Sequence, residues 1–410
     1  MDAALTTRLI DNCHSEVERY EQKTHPVDFP PLPPIPTARY LDPELFELER
    51  QRLWSKTWLY AGFANELPQA GSFKLWENAG ISVILVRGRD LRVRAFYNTC
   101  RHRGGALVRE ECGKSRMLVC KFHAWTYDLE GALKHVPGAH DFPGLDKATH
   151  GLVPLRCEQW GNMIFVNRDQ YAAPLLDWLG PLVDDFADLS MDTRTAFDVR
   201  TYEMPCNWKI AIDAFVESYH LAQVHPQTVS NYVDHRGSHI DLYDNGHSTM
   251  YTLQKTGEDA AEYSPLGTEG SDEHRIGRET IRGYTVFPNI QCSASEHEFA
   301  FLMFWPVDIR TTRIEAVYSG PQGHNDPDSI AAKQLTTIYE LTLDEDLANL
   351  SWLQKSIESG ANDAMPISYI ERRIYHHAEA VDRVIGVENI PERLRIPHLL
   401  EPFHVNPHTS

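Results

Sequence analysis

The chain has 410 residues and an acidic balance: 39 Lys plus Arg against 58 Asp plus Glu give a formal charge of −19. Hydrophobic residues make up 42% and charged residues 24% of the chain, which is typical of a globular protein of two or three domains. The charge argues against a nucleic-acid-binding protein, because such proteins present a basic face to the phosphates.

The cysteine count and the N-terminal residues indicate the compartment. Seven cysteines are too few and too scattered for the disulfide framework of a secreted protein. The first residues lack the basic start and apolar run of a signal peptide, and no apolar run approaches the roughly 18 residues of a membrane-spanning helix. We therefore expect a cytoplasmic protein with neither a membrane nor a nucleic acid as partner.

In chain order, an acidic segment of helical character (1–23) comes first. A proline-rich arm follows, with six prolines in the eleven residues 26–36. Proline favours extended backbone, so the arm is predicted to be either a linker on the surface or a partner-binding segment. A helix is predicted over 42–56, where Pro43 takes the first helical position.

From about 70 to 168 the sequence is typical of short β-strands. Two β-rich runs, 81–86 and 91–96, flank a turn, and a buried strand is predicted at 160–166. This spacing predicts a small antiparallel sandwich or barrel. The remainder is mixed, with helices predicted at 207–224, 328–358 and 366–384 and strands near 248–254, 283–288, 298–305 and 313–319.

Two motifs in the β-rich region each combine a cysteine with a histidine. One residue separates Cys100 from His102, and two residues separate Cys120 from His123. Seventeen residues lie between the two motifs. A zinc site is one interpretation, although zinc sites usually pair Cys with Cys and His with His. A [2Fe–2S] cluster with two cysteines on one iron and two histidines on the other agrees better with one ligand of each kind per loop.

A second group of candidate ligands lies on a predicted helix. Asp213, Glu217 and His220 follow i, i+4, i+7 spacing and therefore share one face. An ideal helix would turn His225 away from that face, but Pro226 disfavours helical backbone at His225 and lets it swing back. Two histidines lack one carboxylate for the facial triad of a non-haem Fe(II) site.

The missing carboxylate is predicted in the late helix 328–358. An apolar stripe of 3-4-3-4 spacing, Leu343 to Ile357, is interrupted by one acid, Asp346, while Asp344 and Glu345 are predicted to point away from it. A core-facing carboxylate is costly unless it is paired or binds a metal. Asp346 is therefore the candidate third ligand, and the alternative is an acid that caps or forms an ion pair.

Together these patterns resemble the oxygenase α subunit of the Rieske non-haem iron oxygenases over nearly the whole chain. The matching features are the two Cys/His motifs, Asn207-Trp208-Lys209 followed by the acid and the two histidines, Phe287-Pro288-Asn289, and the Glu345-Asp346 pair.

The resemblance implies an α+β fold in which an antiparallel β Rieske [2Fe–2S] domain is inserted into a catalytic domain with a curved, helix-covered antiparallel sheet. Residues 1–40 are then the helix and arm, 41–168 the Rieske domain, and 169–410 the catalytic domain with the mononuclear iron.

The resemblance also assigns site residues. It implies cluster ligands Cys100, His102, Cys120 and His123, and Fe(II) ligands His220, His225 and Asp346. In the family an acid three residues before the first iron histidine bridges the cluster of one subunit to the iron of the next subunit in a trimer. Here that position is Glu217, where most members have Asp, and Asp213 matches the more distal acid. We therefore expect catalytic roles for both acids and a homotrimer.

The implied activity is that of a terminal oxygenase. Electrons from NAD(P)H reach the cluster through a partner reductase, directly or through a ferredoxin, and O₂ is used to hydroxylate or oxidatively demethylate a small organic substrate. No Gly-rich dinucleotide motif is evident, which places the nicotinamide on the partner.

Three alternatives to the leading interpretation stay open at this point. We favour an aromatic substrate and a role in aromatic hydrocarbon catabolism. Glu217 resembles the subgroup that includes the carnitine and glycine betaine oxygenases, so a quaternary ammonium monooxygenase is the first alternative. A Rieske electron carrier without oxygenase chemistry is the second, although it would not need the His220–His225 motif. A zinc-stabilised interaction module is the third.

Overall fold

In a computed structural model of the chain, residues 3–255, 275–294 and 297–405 are described. They divide into two units, which we call the insert unit (Trp54–Leu175) and the main unit (Met1–Leu53 with Leu176–Ser410). The sequence predicted the boundaries at 40/41 and 168/169. Residues 43–53 belong to the main unit because Glu49 accepts a hydrogen bond from Trp208 and forms an ion pair with Lys209 there.

Strands occur in both units, whereas most of the helices lie in the main unit. In chain order the strands are β1 (Ile35–Pro36), β2 (Leu59–Phe63), β3 (Ser72–Asn78), β4 (Ile81–Arg87), β5 (Val93–Tyr97), β6 (Cys112–Lys114), β7 (Leu118–Val119), β8 (Thr126–Tyr127), β9 (Leu133–His135), β10 (Pro154–Trp160), β11 (Met163–Asn167), β12 (Thr195–Met204), β13 (Val233–Leu242), β14 (Ser248–Gln254), β15 (Thr280–Val286), β16 (Ile290–Ala294), β17 (Phe299–Asp308), β18 (Thr311–Gly320) and β19 (Ala364–Met365). The helices are α1 (Ala3–Glu21), α2 (Pro43–Leu48), α3 (Trp54–Lys56), α4 (Leu175–Leu179), α5 (Leu182–Asp185), α6 (Trp208–Asp213), α7 (Leu221–Val224), α8 (Arg275–Glu279), α9 (Ile330–Glu358) and α10 (Arg372–Ile385), with a π-helical stretch at Glu49–Leu53.

The insert unit is an antiparallel β domain, as the sequence predicted. Its larger sheet has the order β2-β11-β10-β5-β4-β3-β6, and β7, β8 and β9 form a smaller one. The predicted strand–turn–strand is the β4–β5 hairpin, in which Val83 pairs with Tyr97 and Arg87 with Val93. Buried side chains from both sheets, among them Phe96 and Tyr127, form one core that includes Cys100 and Cys120.

The main unit is built on a seven-stranded antiparallel sheet with the order β12-β18-β17-β16-β15-β14-β13. Interior strand β17 is buried along Phe299–Trp305, because α6 packs on it and its two neighbouring strands enclose it. The α+β class predicted from the sequence is therefore confirmed. The sequence did not predict β12 and β13, which are the edge strands and carry many half-exposed polar residues instead of an apolar run.

The N-terminal segments lie against the main unit. Helix α1 buries Leu9, Ile10 and Cys13 in one cluster with Tyr251 and other residues. The proline-rich arm has a turn in which the N–H of Phe29 donates to the carbonyl of Pro26, and residues 30–34 have no regular secondary structure. The arm ends in β1, which pairs with β19 of the same chain. No helix within the described parts of the chain is both long enough and apolar enough to cross a membrane.

One predicted helix is broken in the structure. The sequence predicted a continuous helix over 207–224, but α6 ends at Asp213 and α7 begins at Leu221. The carboxylate of Glu217 accepts the backbone N–H groups of Tyr219 and His220, which a continuous helix would bond to earlier carbonyls. This break positions the two histidines of the motif.

Candidate metal centres

The segment that carries His220 and His225 and the helix α9 bring two imidazoles and one carboxylate together. His225 Nε2 lies 3.0 Å and His220 Nε2 3.5 Å from Asp346 Oδ1. One ligand atom from each residue lies within 4.8 Å of the others. Asp346 is only 5% exposed, so its charge needs a cation nearby. This donor set, with open positions around it, is that of the facial triad that binds non-haem Fe(II).

Local backbone structure explains how the two histidines converge. His220 immediately precedes the single turn of α7, and His225 immediately follows it, with φ −113° and ψ 42°. The predicted departure from helical backbone before Pro226 is therefore present. Asp346 lies on the buried side of α9, as the apolar stripe predicted, although Leu353 of that stripe is 47% exposed and Gln354 is buried in its place. A strict 3-4 repeat drifts relative to 3.6 residues per turn, which accounts for this shift.

A carboxylate accepts a hydrogen bond from the Nδ1 atom of each imidazole. Glu217 Oε1 accepts a hydrogen bond from His220 Nδ1, and Glu345 Oε2 lies 2.7 Å from His225 Nδ1. Thr228 donates to the same Glu345 oxygen. These bonds direct both Nε2 atoms toward Asp346, as is usual for metal-binding histidines. Glu345 is half-buried and lies off the apolar stripe, as predicted, and its side chain reaches His225. The sequence did not predict this contact.

The carboxylates make this group attractive to positive charge. Burial on its own would lower the pKa of His220, but Glu217 and then Asp346 raise it above its ordinary value. Burial would likewise lower the pKa of His225, but Asp346 and Glu345 raise it above its ordinary value. A proton or a metal cation between the rings is thus favoured, and a metal displaces the proton.

Asp213 lies outside this group. Its carboxylate accepts a hydrogen bond of 2.6 Å from the hydroxyl of Tyr40. Withdrawal from water raises the pKa of Asp213 to about 7, while the Tyr40 bond and the charge of Lys209 act in the opposite direction. Lys209 itself pairs with Glu49, so Asp213 belongs to a buried network that joins α6 to the N-terminal segments.

In the insert unit, the side chains of the two Cys/His motifs are arranged as a thiol pair and an imidazole pair. Cys120 is close enough to Cys100 to raise the pKa of that thiol further, beyond the effect of burial. The rings of His102 and His123 have centroids 4.7 Å apart. Both cysteines are buried, whereas His102 is half-buried and His123 exposed. Within the described residues the four side chains do not converge around one point, as a single zinc ion would require.

Neighbouring aromatic residues support these two pairs. Trp125 stacks on His102 with centroids 5.0 Å apart and an angle of 8°. The hydroxyl of Tyr127 accepts the N–H of Arg101 and lies 3.2 Å from Cys100 Sγ, so it can donate to a thiolate there. A Cβ at Gly105 would lie only 3.2 Å from Cys120 Sγ, which leaves little room for a side chain. A thiol pair inside and an imidazole pair outside fit a cluster with one buried and one surface iron.

A cavity of about 150 Å³ lies beside the three candidate iron ligands, between α9 and the main sheet. A cavity of roughly this volume holds one small organic molecule such as benzene. Its lining is mainly apolar and aromatic, and the sequence analysis predicted none of these positions: Phe215, Tyr232, Met250, Leu302, Leu335 and Tyr339. They come from separate strands and helices, so no single motif contains them.

Two family models match the chain. The model for the Rieske [2Fe–2S] domain matches residues 57–150, and the model for the ring hydroxylating alpha subunit (catalytic domain) matches 191–387. The two matches cover both predicted metal sites. They exclude a zinc-stabilised module, and the second match also argues against a carrier with a cluster alone.

Relatives agree with these models. The carnitine monooxygenase oxygenase subunit of Escherichia coli K12 is 31% identical over 287 residues, which cover 68% of this chain and 72% of that protein. The glycine betaine monooxygenase oxygenase subunit of Pseudomonas aeruginosa is 32% identical over 49% of this chain and 46% of its own length. The biphenyl dioxygenase subunit alpha of Metapseudomonas furukawaii is 31% identical over 44% of this chain and 42% of its own length.

Solved structures share the fold. A quaternary ammonium Rieske monooxygenase superposes with a TM-score of 0.74 at 22% identity, covering 89% of this chain and 99% of that one. Naphthalene 1,2-dioxygenase from Rhodococcus sp. gives 0.71 at 20% identity, covering 94% and 99%. Family models, a relative aligned over most of its length and the fold itself all agree: the chain belongs to the Rieske non-haem iron oxygenases and is an oxygenase α subunit with a Rieske domain and a catalytic domain.

Proposed function

We propose that this chain is the terminal oxygenase of a system that monooxygenates a small quaternary ammonium compound. The relatives that act on carnitine and glycine betaine align over more of the chain than the biphenyl dioxygenase does. The aromatic substrate favoured by the sequence analysis has less support. Glu217 agrees with the ammonium subgroup, where the sequence resemblance places Glu at this position.

The lining of the cavity carries the proposal. It includes two carboxylates, Glu217 and Asp346, and no Lys or Arg among its described residues. Phe215, Tyr232 and Tyr339 add aromatic rings to the same cavity. Aromatic faces and carboxylates both attract a quaternary ammonium cation, which has no N–H to donate and is recognised by charge and ring contacts.

The metal ligands are part of the same proposal. We assign the cluster to Cys100, His102, Cys120 and His123, and Fe(II) to His220, His225 and Asp346. When bound, the cluster supplies electrons and the Fe(II) supplies O₂ activation. The chain itself orients both imidazoles through Glu217 and Glu345 and holds the substrate in the cavity beside them.

The chemistry of an ammonium substrate is constrained by its carbon–nitrogen bonds. Hydroxylation of a carbon next to the cationic nitrogen consumes O₂, two electrons and two protons and releases one water. The hydroxylated carbon then loses the amine and becomes a carbonyl group. A partner reductase supplies the electrons from NAD(P)H. We further propose that the enzyme is a homotrimer in which Glu217 lies on the path between the cluster of one subunit and the iron of the next.

A substrate panel tests the proposal. Purified enzyme with a reductase of a carnitine or betaine system is incubated with carnitine, glycine betaine, choline, naphthalene and biphenyl. Oxygen uptake is measured together with product formation by mass spectrometry, because uncoupled uptake alone proves nothing. We expect coupled turnover with at least one ammonium compound and none with the arenes. Coupled oxidation of an arene alone would replace the proposal by an aromatic dioxygenase.

A further inference from the structure

Three tyrosines of the main unit, Tyr339, Tyr318 and Tyr202, form a row that we call the tyrosine row. Tyr339, on α9, lines the cavity together with the candidate iron ligand Asp346. The two residues are seven positions apart, which places them on one face of the helix and about 10 Å apart along its axis. The ring of Tyr318, on β18, lies edge-on to that of Tyr339, with centroids 5.9 Å apart and an angle of 83°. The row therefore begins at the cavity that holds the candidate iron ligands.

From Tyr318 the row continues through a shared carboxylate. The hydroxyls of Tyr318 and Tyr202 both donate to Glu340 Oε1, each at 2.6 Å. Arg200 forms an ion pair of 2.9 Å with the other oxygen, Oε2. Tyr318 is fully buried, whereas Tyr202, on the edge strand β12, is partly exposed. The row thus leads from the cavity to the surface, first by a ring contact and then by two hydrogen bonds to one oxygen.

The carboxylate of Glu340 can accept a proton from either phenol. Burial alone would raise the pKa of Glu340. The two hydroxyls and the charge of Arg200 outweigh burial and hold this pKa below its ordinary value, so the carboxylate is ionised at neutral pH. A tyrosine that loses an electron becomes a strong acid, and its oxidation is favourable only where an acceptor takes the hydroxyl proton. Tyr318 and Tyr202 both have such an acceptor at hydrogen-bond distance.

We propose that Tyr339, Tyr318 and Tyr202 conduct oxidising equivalents out of the cavity when O₂ is reduced at the iron without a substrate to oxidise. This role goes beyond the proposed function and depends on the assigned iron ligands, not on the class of substrate. It is protective, because oxidising equivalents that stay in the cavity would attack lining residues such as Met250.

Each transfer along the row moves one electron, and the protons move only between the phenols and the carboxylate. Tyr339 gives an electron to the oxidised centre and recovers it from Tyr318, whose hydroxyl proton passes to Glu340. Tyr202 then gives an electron to the neutral Tyr318 radical and a proton to Glu340, while Glu340 returns the first proton to Tyr318. A small reductant at the surface, such as ascorbate or a thiol, is oxidised and supplies the last electron and proton to Tyr202. One oxidising equivalent has then left the cavity and every residue is restored.

Rapid freeze-quench EPR of the whole enzyme tests this role. Enzyme with cluster and iron loaded and chemically reduced is mixed with O₂ in the absence of substrate. We expect a long-lived tyrosyl radical, identified by the change in its hyperfine splitting when the protein contains ring-deuterated tyrosine. Tyr318→Phe keeps the ring but has no hydroxyl proton to give, so this signal should be lost. Tyr243→Phe is the matched control, because Tyr243 is also buried and donates to a carboxylate, that of Asp185 at 2.8 Å, but is not among the described residues that line the cavity.

Two further variants test the surface end of the row and carry the test if Tyr318→Phe does not fold. Ascorbate should shorten the lifetime of the radical in the wild type, because Tyr202 is partly exposed. In Tyr202→Phe the radical stays on buried Tyr318, so its lifetime should be longer and should no longer depend on ascorbate. Glu340→Gln keeps an oxygen acceptor but cannot take up the proton, so the radical should form more slowly. A purely structural role of these residues would leave the ascorbate dependence unchanged, which would overturn the proposal.

Mass spectrometry after repeated turnover without substrate measures the protection itself. Oxidation of Met250 and other residues that line the cavity should increase several-fold in Tyr318→Phe, relative to both the wild type and Tyr243→Phe. The iron content, the EPR signal of the cluster and the melting temperature check that each variant is intact.

The outcomes separate this role from the proposed function. An iron-loaded wild type without a tyrosyl radical overturns the role of the row and leaves the ammonium proposal in place. A folded Tyr318→Phe with the wild-type radical and the wild-type level of Met250 oxidation does the same. A tyrosyl radical in an enzyme that oxidises only arenes supports the row and overturns the proposed substrate class. A wild type that retains no mononuclear iron after reconstitution with Fe(II) overturns both.

Discussion

At the scale of single residues, the proposed iron site depends on the carboxylates that bind the Nδ1 atoms of its two histidines. His220 and His225 have no geometric preference of their own for Nε2 over Nδ1. Glu217 and Glu345 occupy the two Nδ1 atoms and leave both Nε2 atoms for a metal. Such outer carboxylates also make the imidazoles stronger ligands. The four side chains therefore act as one unit with Asp346, and each can be tested separately.

The first residue-scale prediction concerns Asp346. Asp346→Ala should remove the mononuclear iron and leave the cluster, because only the facial triad loses a ligand. Iron content should fall from about three to about two atoms per chain. The Rieske EPR signal should stay the same and turnover should be lost. Asp344→Ala, two residues away on the exposed side of α9, is the control. Full iron and activity in Asp346→Ala would show that another acid is the ligand.

The second residue-scale prediction concerns Glu345. Glu345→Gln keeps the size of the side chain but weakens the bond to His225 Nδ1, so metal affinity should fall about 10- to 100-fold. Fe(II) or Co(II) titration of the metal-free enzyme measures this. Thr228→Val removes the other donor to Glu345 and leaves the His225 bond, so its effect should be smaller. Wild-type affinity in Glu345→Gln would mean that the 2.7 Å contact does not orient the ligand.

At the scale of elements, the segment between α6 and α7 determines the site. A continuous helix would project His220 and His225 in different directions, and the break at Glu217 lets α7 present both to α9. Asp213, at the end of α6, anchors the other side of this segment. It bonds to Tyr40, while its neighbour Lys209 pairs with Glu49, so the N-terminal segments hold α6 in place.

The element-scale prediction is a pH dependence of stability at Asp213. Its pKa is about 7 in the folded chain against an ordinary 3.8. Between these values the folded state keeps a proton that the unfolded state has lost, so stability falls as pH rises from about 4 to about 7. Asp213→Asn cannot lose a proton and should remove this part of the decline. Its melting temperature relative to wild type should therefore rise from pH 5 to pH 8.

Tyr40→Phe is the companion variant. The Tyr40 hydroxyl lowers the pKa of Asp213, so its removal should raise that pKa further and extend the decline above pH 7. Asp213→Asn and Tyr40→Phe should thus change the pH profile in opposite directions. Parallel profiles for wild type and Asp213→Asn would show that Asp213 is ionised in the folded protein throughout.

At the scale of the whole molecule, the insert unit enters and leaves the chain at one sheet edge. The strands nearest its two ends, β2 and β11, are neighbours, and Leu59 pairs with Val166. Adjacent ends allow a domain to be inserted without disturbing the host. The main unit brings α1, β1 and α2 together with β19 and α10, although the more than 120 residues of the insert unit separate them in sequence. The proposed cluster ligands and the proposed iron ligands therefore lie on different units of one chain.

The whole-molecule prediction concerns the proposed transfer between subunits. Cys120→Ser removes a cluster ligand and Asp346→Ala an iron ligand, so neither variant should turn over alone. Mixed trimers, formed by co-expression with two affinity tags and checked by ultracentrifugation, should recover part of the activity. Within such a trimer, an intact cluster of one subunit can serve the intact iron of its neighbour. No recovery in verified mixed trimers would mean that electrons stay within one chain.

Local sequence was enough to predict several features of this protein. Cys100 and His102, or His220 and His225, lie within a few residues of each other, so backbone geometry alone limits where their side chains can meet. Asp346 was predictable because helical periodicity places it on a stripe that must be buried. The resemblance to a family followed from these short patterns, and the α+β class with it.

Tertiary structure decided the rest. The hydrogen bond between His225 and Glu345 joins residues 120 positions apart. The cavity is lined by side chains from several strands and helices. The edge strands β12 and β13 lack an apolar run because the sheet buries them only in part. Arg373 is an ordinary charged residue in the sequence; only the packing of α10 on the sheet buries it against Ser248 and Thr285. Periodicity reports which side of an element is buried, but the partner across a contact depends on how the elements pack.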